Sequence, residues 1–207
     1  PPAIKSLGTL FGETFKKHGR PVQVFDPRRI FMVPDHSVPA LSVEVAEGVD
    51  RMETFGREQG LKVYREGDGI EHVVLIEDGH IVPWDIVLGT DSHTCTNGAM
   101  GALAFGVGTT EGVYGLATGH LYDFVVPETI RFELTGTLSK GVYSKDLILH
   151  IIGKMGAGGC SRRVAEFVGD GVRRMSMDAR TTICNMGVEM SARTALMPYD
   201  ETLGAYL

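Results

Sequence analysis

Three places in this chain bring a carboxylate and a histidine together, and a fourth adds a carboxylate in an apolar setting. They are Asp35-His36 after Pro34, His72 within Asp68-Gly69-Ile70-Glu71-His72-Val73, and Asp91-Ser92-His93. Glu189 sits in the run Ile183-Cys184-Asn185-Met186-Gly187-Val188-Glu189-Met190. A histidine held by a carboxylate keeps a defined tautomer and a raised basicity, which suits it to proton transfer. Plainer roles are open to the same residues. Asp35 can be a helix N-cap, Glu189 can face solvent, and a histidine beside a strand is more often hydrogen-bonded structure than catalyst. Three histidines are also enough for a catalytic zinc site, so His36, His72 and His93 around a metal-hydrolase zinc ion is the alternative chemistry. His18, His80, His120 and His150 lie in no comparable motif and take a structural or surface reading.

The elements that must position these groups follow from pattern. Apolar spacing predicts a helix over residues 1–20 and a second over 42–60, ending at Gly60. Ile30–Val33, Leu61–Tyr64, His72–Ile76 and Ile81–Leu88 read as strands, the last running into the Asp-Ser-His cluster. A buried strand ending in polar residues and a glycine-rich turn puts them at the mouth of a sheet, where open α/β proteins bind substrates. From Asn97 to Thr118 glycine and alanine allow a helix to pack closely on its neighbours. The stretch 106–112 resembles a dinucleotide loop only superficially, because its third glycine is out of register. Thr129–Leu134 alternates like a half-exposed strand. Ser144–Ile152 reads as a helix capped by Ser144 and ended by Gly153, Glu166–Gly169 as a strand end, and Met177–Ala192 as the helix carrying Cys184, Asn185 and Glu189. The alternation indicates an α/β class, with a boundary near Pro127 giving regions 1–126 and 127–207.

Bulk properties narrow the partners. The 207 residues are 43% hydrophobic and carry a formal net charge of −6, and no basic run exceeds two residues, which argues against a nucleic-acid-binding face. No apolar stretch approaches the length of a membrane span. The N-terminal residues have neither signal- nor transit-peptide character. Cys95, Cys160 and Cys184 are widely spaced and include no C-x-x-C pair. They read as small buried hydrophobes in a reducing, cytoplasmic setting.

In order and approximate spacing, VPDHSVP, DGIEHVVLIEDG, GTDSHTCTNGAMGALAFGVGT, SKDLILHIIGKMG and TTICNMGVE resemble the aconitase superfamily across the whole chain. The resemblance implies an aconitase-like α/β fold and a hydro-lyase site with three histidine–carboxylate pairs: His36 with Asp35, His72 with Asp91, and His93 with Glu189. It further implies that Ser92 contacts a substrate carboxylate and that Asn185 lies near a 4Fe-4S cluster. By the same resemblance, one iron of that cluster would act as a Lewis acid on the departing hydroxyl, and His93 with Glu189 would supply the proton.

Asp-Ser-His-Thr-Cys-Thr, where citrate-specific members usually carry Asp-Ser-His-Thr-Pro-Asn, is similar to the large subunits of isopropylmalate dehydratases and of the related homoaconitases and methylmalate dehydratases. That likeness implies isomerisation of 2- and 3-isopropylmalate in leucine biosynthesis. It also implies a separate small subunit bearing a serine base and substrate-binding arginines. The family's three cluster cysteines come from a Gly-Ser-Cys-Thr-Asn segment and a C-x-x-C, and neither occurs here. The expectation is therefore a central piece of a large subunit, inactive when alone; a non-catalytic module on the same fold is the competing reading.

Overall fold

The computed structural model describes residues 11–12, 15–19, 21–36 and 38–207. Most of the helix expected over residues 1–20 lies outside the described residues, although 11–12 and 15–17 are helical. Contacts group the chain into two compact units. The first is Pro1–Val74 with Val107–Phe124, and the second is Leu75–Gly106 with Val125–Leu207.

In the first unit, β1 (Phe31–Met32) pairs in parallel with β2 (Lys62–Val63), and the helix Val43–Glu58 makes the crossover. Ser42 starts this helix by accepting a hydrogen bond from the Val45 N–H at 3.3 Å. Glu44 in its first turn and Arg57 in its last suit the helix dipole, and Gly60 (φ 69°) turns the chain out. Gly56 is needed here, because a Cβ would overlap the Val63 side chain of β2. Phe11, Val24, Ile30, Met32, Leu61 and Val113 form the core, with Phe55 edge-on to Phe11 at 5.3 Å.

The expected strand His72–Ile76 is instead a helix, Glu71–Glu77. A short apolar run does not distinguish a strand from a helix. The outcome is set by Val73 and Val74, whose N–H groups both turn back to the Ile70 carbonyl, and by a cap from Asp35, 36 residues away.

In the second unit, β3 (Ile86–Gly89) and β4 (Leu103–Gly106) form a parallel pair, and β5 (Thr129–Glu133), β6 (Val164–Val168) and β7 (Thr194–Leu196) form a parallel sheet in that order. The expected strand Ile81–Leu88 is shortened to Ile86–Gly89. Asp85 accepts from the Val82 N–H, and Trp84 takes a positive φ of 76°, so the chain turns before it extends. The region 97–118 is not one close-packed helix. It is the end of a 3-10 segment, Thr94–Met100, followed by β4 and the helix Thr109–Thr118.

β5 alternates as its sequence indicates, and Phe132 stacks on Phe167 of β6 at 5.1 Å. The helix Ser144–Met155 links these two strands. Its N-cap is Tyr143 rather than Ser144, with Asp146 accepting from the Tyr143 N–H, and it runs past Gly153 to close at Gly156. The helix Met177–Asn185 ends before Glu189, which lies on a separate 3-10 segment, Met186–Met190. Parallel strands with helical crossovers make the chain α/β. Among the described residues no helix is long and apolar enough to cross a membrane.

Candidate functional site

The residues singled out in the sequence divide between the two units: Asp35, His36 and His72 in the first, and Asp91, Ser92, His93, Asn185 and Glu189 in the second.

Asp35 lies just beyond β1, its N–H bonded to the Val33 carbonyl. Its carboxylate is spent twice. Oδ1 meets His36 Nδ1 at 2.7 Å, and Oδ2 accepts from the Glu71 N–H, also at 2.7 Å. A carboxylate only accepts, so Nδ1 carries the proton in this contact. The helix-cap reading of Asp35 is therefore partly right, but the helix capped is the one that carries His72. One side chain sets both the ring of His36 and the start of the His72 helix. His72 follows directly, with Nδ1 3.6 Å from Glu71 Oε2. Glu71 is a residue the sequence reading passed over. Its Oε2 is buried and lacks a hydrogen bond among the described residues, and it stands next to an imidazole nitrogen.

In the second unit, β3 delivers Asp91-Ser92-His93 into a tight turn. Gly89 leaves room for the Thr94 side chain, and a Cβ on Gly106 would stand 2.7 Å from the Asp91 carbonyl. Asp91 Oδ1 accepts from the His93 N–H at 2.7 Å, and the Asp91 carbonyl accepts from the Thr94 hydroxyl at 2.8 Å. The carboxylate of Asp91 thus fixes the backbone of His93, while its distance to His93 Nδ1 is 4.0 Å. Ser92 Oγ lies 3.1 Å from that nitrogen. On the other side of the ring, Nε2 is 3.7 Å from Glu189 Oε1. The geometry thus brings His93 and Glu189 together from segments about a hundred residues apart. This spacing lets the carboxylate stabilise a protonated imidazole without clamping it.

Asn185 joins the two segments: its side-chain amide donates to Thr96 Oγ1 at 2.9 Å, and its carbonyl accepts from Cys95 Sγ at 3.5 Å. Sequence reading missed Thr96, although its position in Asp-Ser-His-Thr-Cys-Thr was the available signal. All three cysteines are free and buried. Burial pushes the thiol of Cys160 up, and burial together with the neighbouring Cys95 pushes Cys184 well above the usual thiol value, against an opposing pull from Arg180. Thiols held protonated are inert, as expected of structural cysteines. His18, His120 and His150 are on the surface, with His120 Nδ1 bonded to the Thr118 carbonyl at 2.6 Å, and His80 stands 3.9 Å from Asp78.

The sequence matches the aconitase family (aconitate hydratase) over residues 1–207. It is 46% identical over 186 residues to a 3-isopropylmalate dehydratase large subunit 1 of Methanopyrus kandleri, covering 89% of this chain and 44% of that protein. It is 44% identical over 205 residues to a probable methanogen homoaconitase large subunit of Methanothermobacter thermautotrophicus, covering 98% and 46%. A 2,3-dimethylmalate dehydratase large subunit of Eubacterium barkeri is 44% identical over 209 residues, covering 100% and 47%. The chain spans about half the length of these relatives. With its parallel α/β units and this run of motifs, the chain belongs to the aconitase family.

Proposed function

We propose that this chain is the acid–base part of an aconitase-type hydro-lyase large subunit that interconverts 2- and 3-isopropylmalate by dehydration and rehydration. The observation that carries the reading is the His93–Glu189 contact, with the backbone of His93 locked and its ring open to Glu189 at 3.7 Å. Dehydration breaks a C–O bond and removes a proton from the adjacent carbon. His93 gives a proton to the departing hydroxide, and Glu189 stabilises the imidazolium that holds it beforehand. On rehydration the same ring takes the proton back from water. Ser92, exposed beside His93, is placed to bind a substrate carboxylate. Asp35 orients the His36 ring through Nδ1, and His72 and Asp91 complete the set that the family resemblance names.

The 4Fe-4S cluster that the family implies does not fit the donors described here. Such a cluster takes thiolates, whereas Cys160 and Cys184 are buried with raised thiol values and Cys95 Sγ is engaged with the Asn185 carbonyl. The cluster's ligands would come from another part of the large subunit, and the serine base and substrate arginines from a small subunit. Free thiols suit a reducing, cytoplasmic setting.

The relatives are named for three hydroxy acids at nearly equal identity, so isopropylmalate is preferred first, homoaconitate second and dimethylmalate third. The test is turnover by the complete large subunit, assembled with its small subunit and reconstituted anaerobically with iron and sulfide. Isopropylmalate is expected to exceed the other two acids by about tenfold or more in kcat/KM. Activity in a zinc-loaded, sulfide-free preparation would overturn the mechanism, and preference for another acid would reassign the substrate.

A further inference from the structure

Beside the Cys95 Sγ contact to the Asn185 carbonyl, a second polar cross-link between the segment that carries His93 and the segment that carries Glu189 passes through a buried hydroxyl. Thr96 is 3% exposed. Its Oγ1 lies 2.7 Å from the His93 carbonyl and 2.9 Å from Asn185 Nδ2. A hydroxyl has one hydrogen, and a carbonyl can only accept, so the hydrogen goes to His93 and the Asn185 amide must donate to Thr96. The direction is then fixed throughout: Asn185 N–H to Thr96 O–H to the His93 carbonyl. That carbonyl also accepts from the Thr96 N–H at 2.9 Å, while the His93 N–H is held by Asp91. Asn185 closes the helix Met177–Asn185 and opens the 3-10 segment on which Glu189 sits.

We infer that Thr96 is a positioning residue that sets the separation of His93 and Glu189, acting through the His93 backbone on one side and Asn185 on the other. The inference rests on the acid–base reading of that pair. Water cannot readily replace the hydroxyl at so buried a position, so removing it leaves a donor and an acceptor partly unpaired and frees the two segments to shift. A misplacement of about 1 Å at a reacting pair is enough to cost on the order of a hundredfold in rate.

The test compares wild type, Thr96→Val and Thr96→Ser in the complete large subunit assembled with its small subunit and reconstituted anaerobically. Thr96→Val is expected to lower kcat roughly 10–100-fold while KM for the hydroxy acid changes less than about threefold, and Thr96→Ser to return kcat to within about threefold of wild type. In a Glu189→Gln background the Thr96→Val loss should shrink below about threefold, because the pair it positions is already broken. Nitrogen-15 histidine NMR on the same proteins, with His93→Gln for assignment, should show the His93 ring resonances moved by Thr96→Val and not by Thr96→Ser. Should Thr96→Val fail to assemble, Thr96→Ala removes the same hydroxyl without the added methyl. If the assembled wild type dehydrates none of the hydroxy acids, the dehydratase reading fails, and the NMR comparison still decides the role of Thr96. Unmoved His93 resonances, a serine variant no better than valine, or fully additive losses with Glu189→Gln would overturn the inference.

Discussion

Asp35 meets His36 at 2.7 Å with its side chain only 6% exposed, whereas Glu189 stands 3.7 Å from His93 with its side chain 55% exposed. Both oxygens of Asp35 are engaged, one by the imidazole and one by the Glu71 N–H. That carboxylate cannot follow a moving proton without uncapping a helix, so it is suited to holding a ring in place. Glu189 has no such obligation and can adjust as charge appears on His93. Asp91 falls on the Asp35 side of the contrast, since its Oδ1 is committed to the His93 N–H. The difference teaches that the enclosed carboxylates here are committed to backbone and ring positions, which leaves the open one, Glu189, for the proton-transfer role proposed above.

The sharpest way to break that comparison is to remove each member and read rate and stability separately. His93→Gln in the assembled enzyme should lower kcat by about 10²–10⁴-fold, the usual worth of a general acid–base group. Its stability should stay close to wild type. Asp35→Ala should show the opposite emphasis in stability, costing about 2 kcal/mol through the lost helix cap and the lost charge-assisted bond to His36. Urea unfolding and steady-state kinetics on the same preparations check both. A His93 variant that loses stability but keeps its rate would invert the assignment of roles.

A half-buried carboxylate paired with a buried arginine tests whether the rule holds inside one unit. Asp200 binds Arg180 through both oxygens, at 2.8 and 2.6 Å, and accepts from the Leu203 N–H at 3.1 Å. Arg180 is fully buried and also donates to the Val172 carbonyl. Burial alone would push the Asp200 carboxyl up, but the guanidinium and the Leu203 N–H outweigh it and hold the group below the usual carboxylate range. A lowered folded-state value means that this stabilisation is present above the unfolded carboxyl value of about 3.9 and is lost as pH falls through the folded one. Asp200→Ala strands the arginine and should cost roughly 3–5 kcal/mol at neutral pH. The variant should also show a shallower loss of stability between neutral pH and about pH 3 than wild type does. Equal acid sensitivity in the two proteins would mean that Asp200 serves less as a structural anchor than its geometry indicates.

Local signals carried far in the sequence, and long-range ones did not. Ser42 and Gly60 bracket their helix almost to the residue, and the alternation of Thr129–Glu133 survives as exposed and half-buried positions of β5. The Asp35-His36 and Asp91-Ser92-His93 motifs were each visible from residue types, and family resemblance paired His93 with Glu189. The reading failed where a partner distant in sequence decides the outcome. The apolar run at 73–76 suggests a strand until Asp35 caps it as a helix. Glu189 suggests a helical carboxylate until the chain tightens at Met186. Thr96 and Glu71 look unremarkable, because their roles depend on Asn185 in one case and on burial beside His72 in the other.

Thiol accessibility separates two kinds of openness at Glu189. Its long contact to His93 can reflect a free side chain on a firm backbone, or a segment that itself swings away. Cys184 and Cys95 report on this, because Cys184 adjoins Asn185 and the Cys95 thiol donates to the Asn185 carbonyl. Both are buried, and the Cys184 thiol is held well above its usual value by burial first and by Cys95 second. On a firm backbone, alkylation of these two thiols at pH 8 should be at least about a hundredfold slower than in the urea-unfolded chain, as followed by peptide mass spectrometry. Fast native labelling at Cys184 and Cys95, with Cys160 still protected, would show that the segment opens as a piece. The contrast with Asp35 would then be one of backbone stability, and the freedom of Glu189 would belong to the whole Met186–Met190 turn.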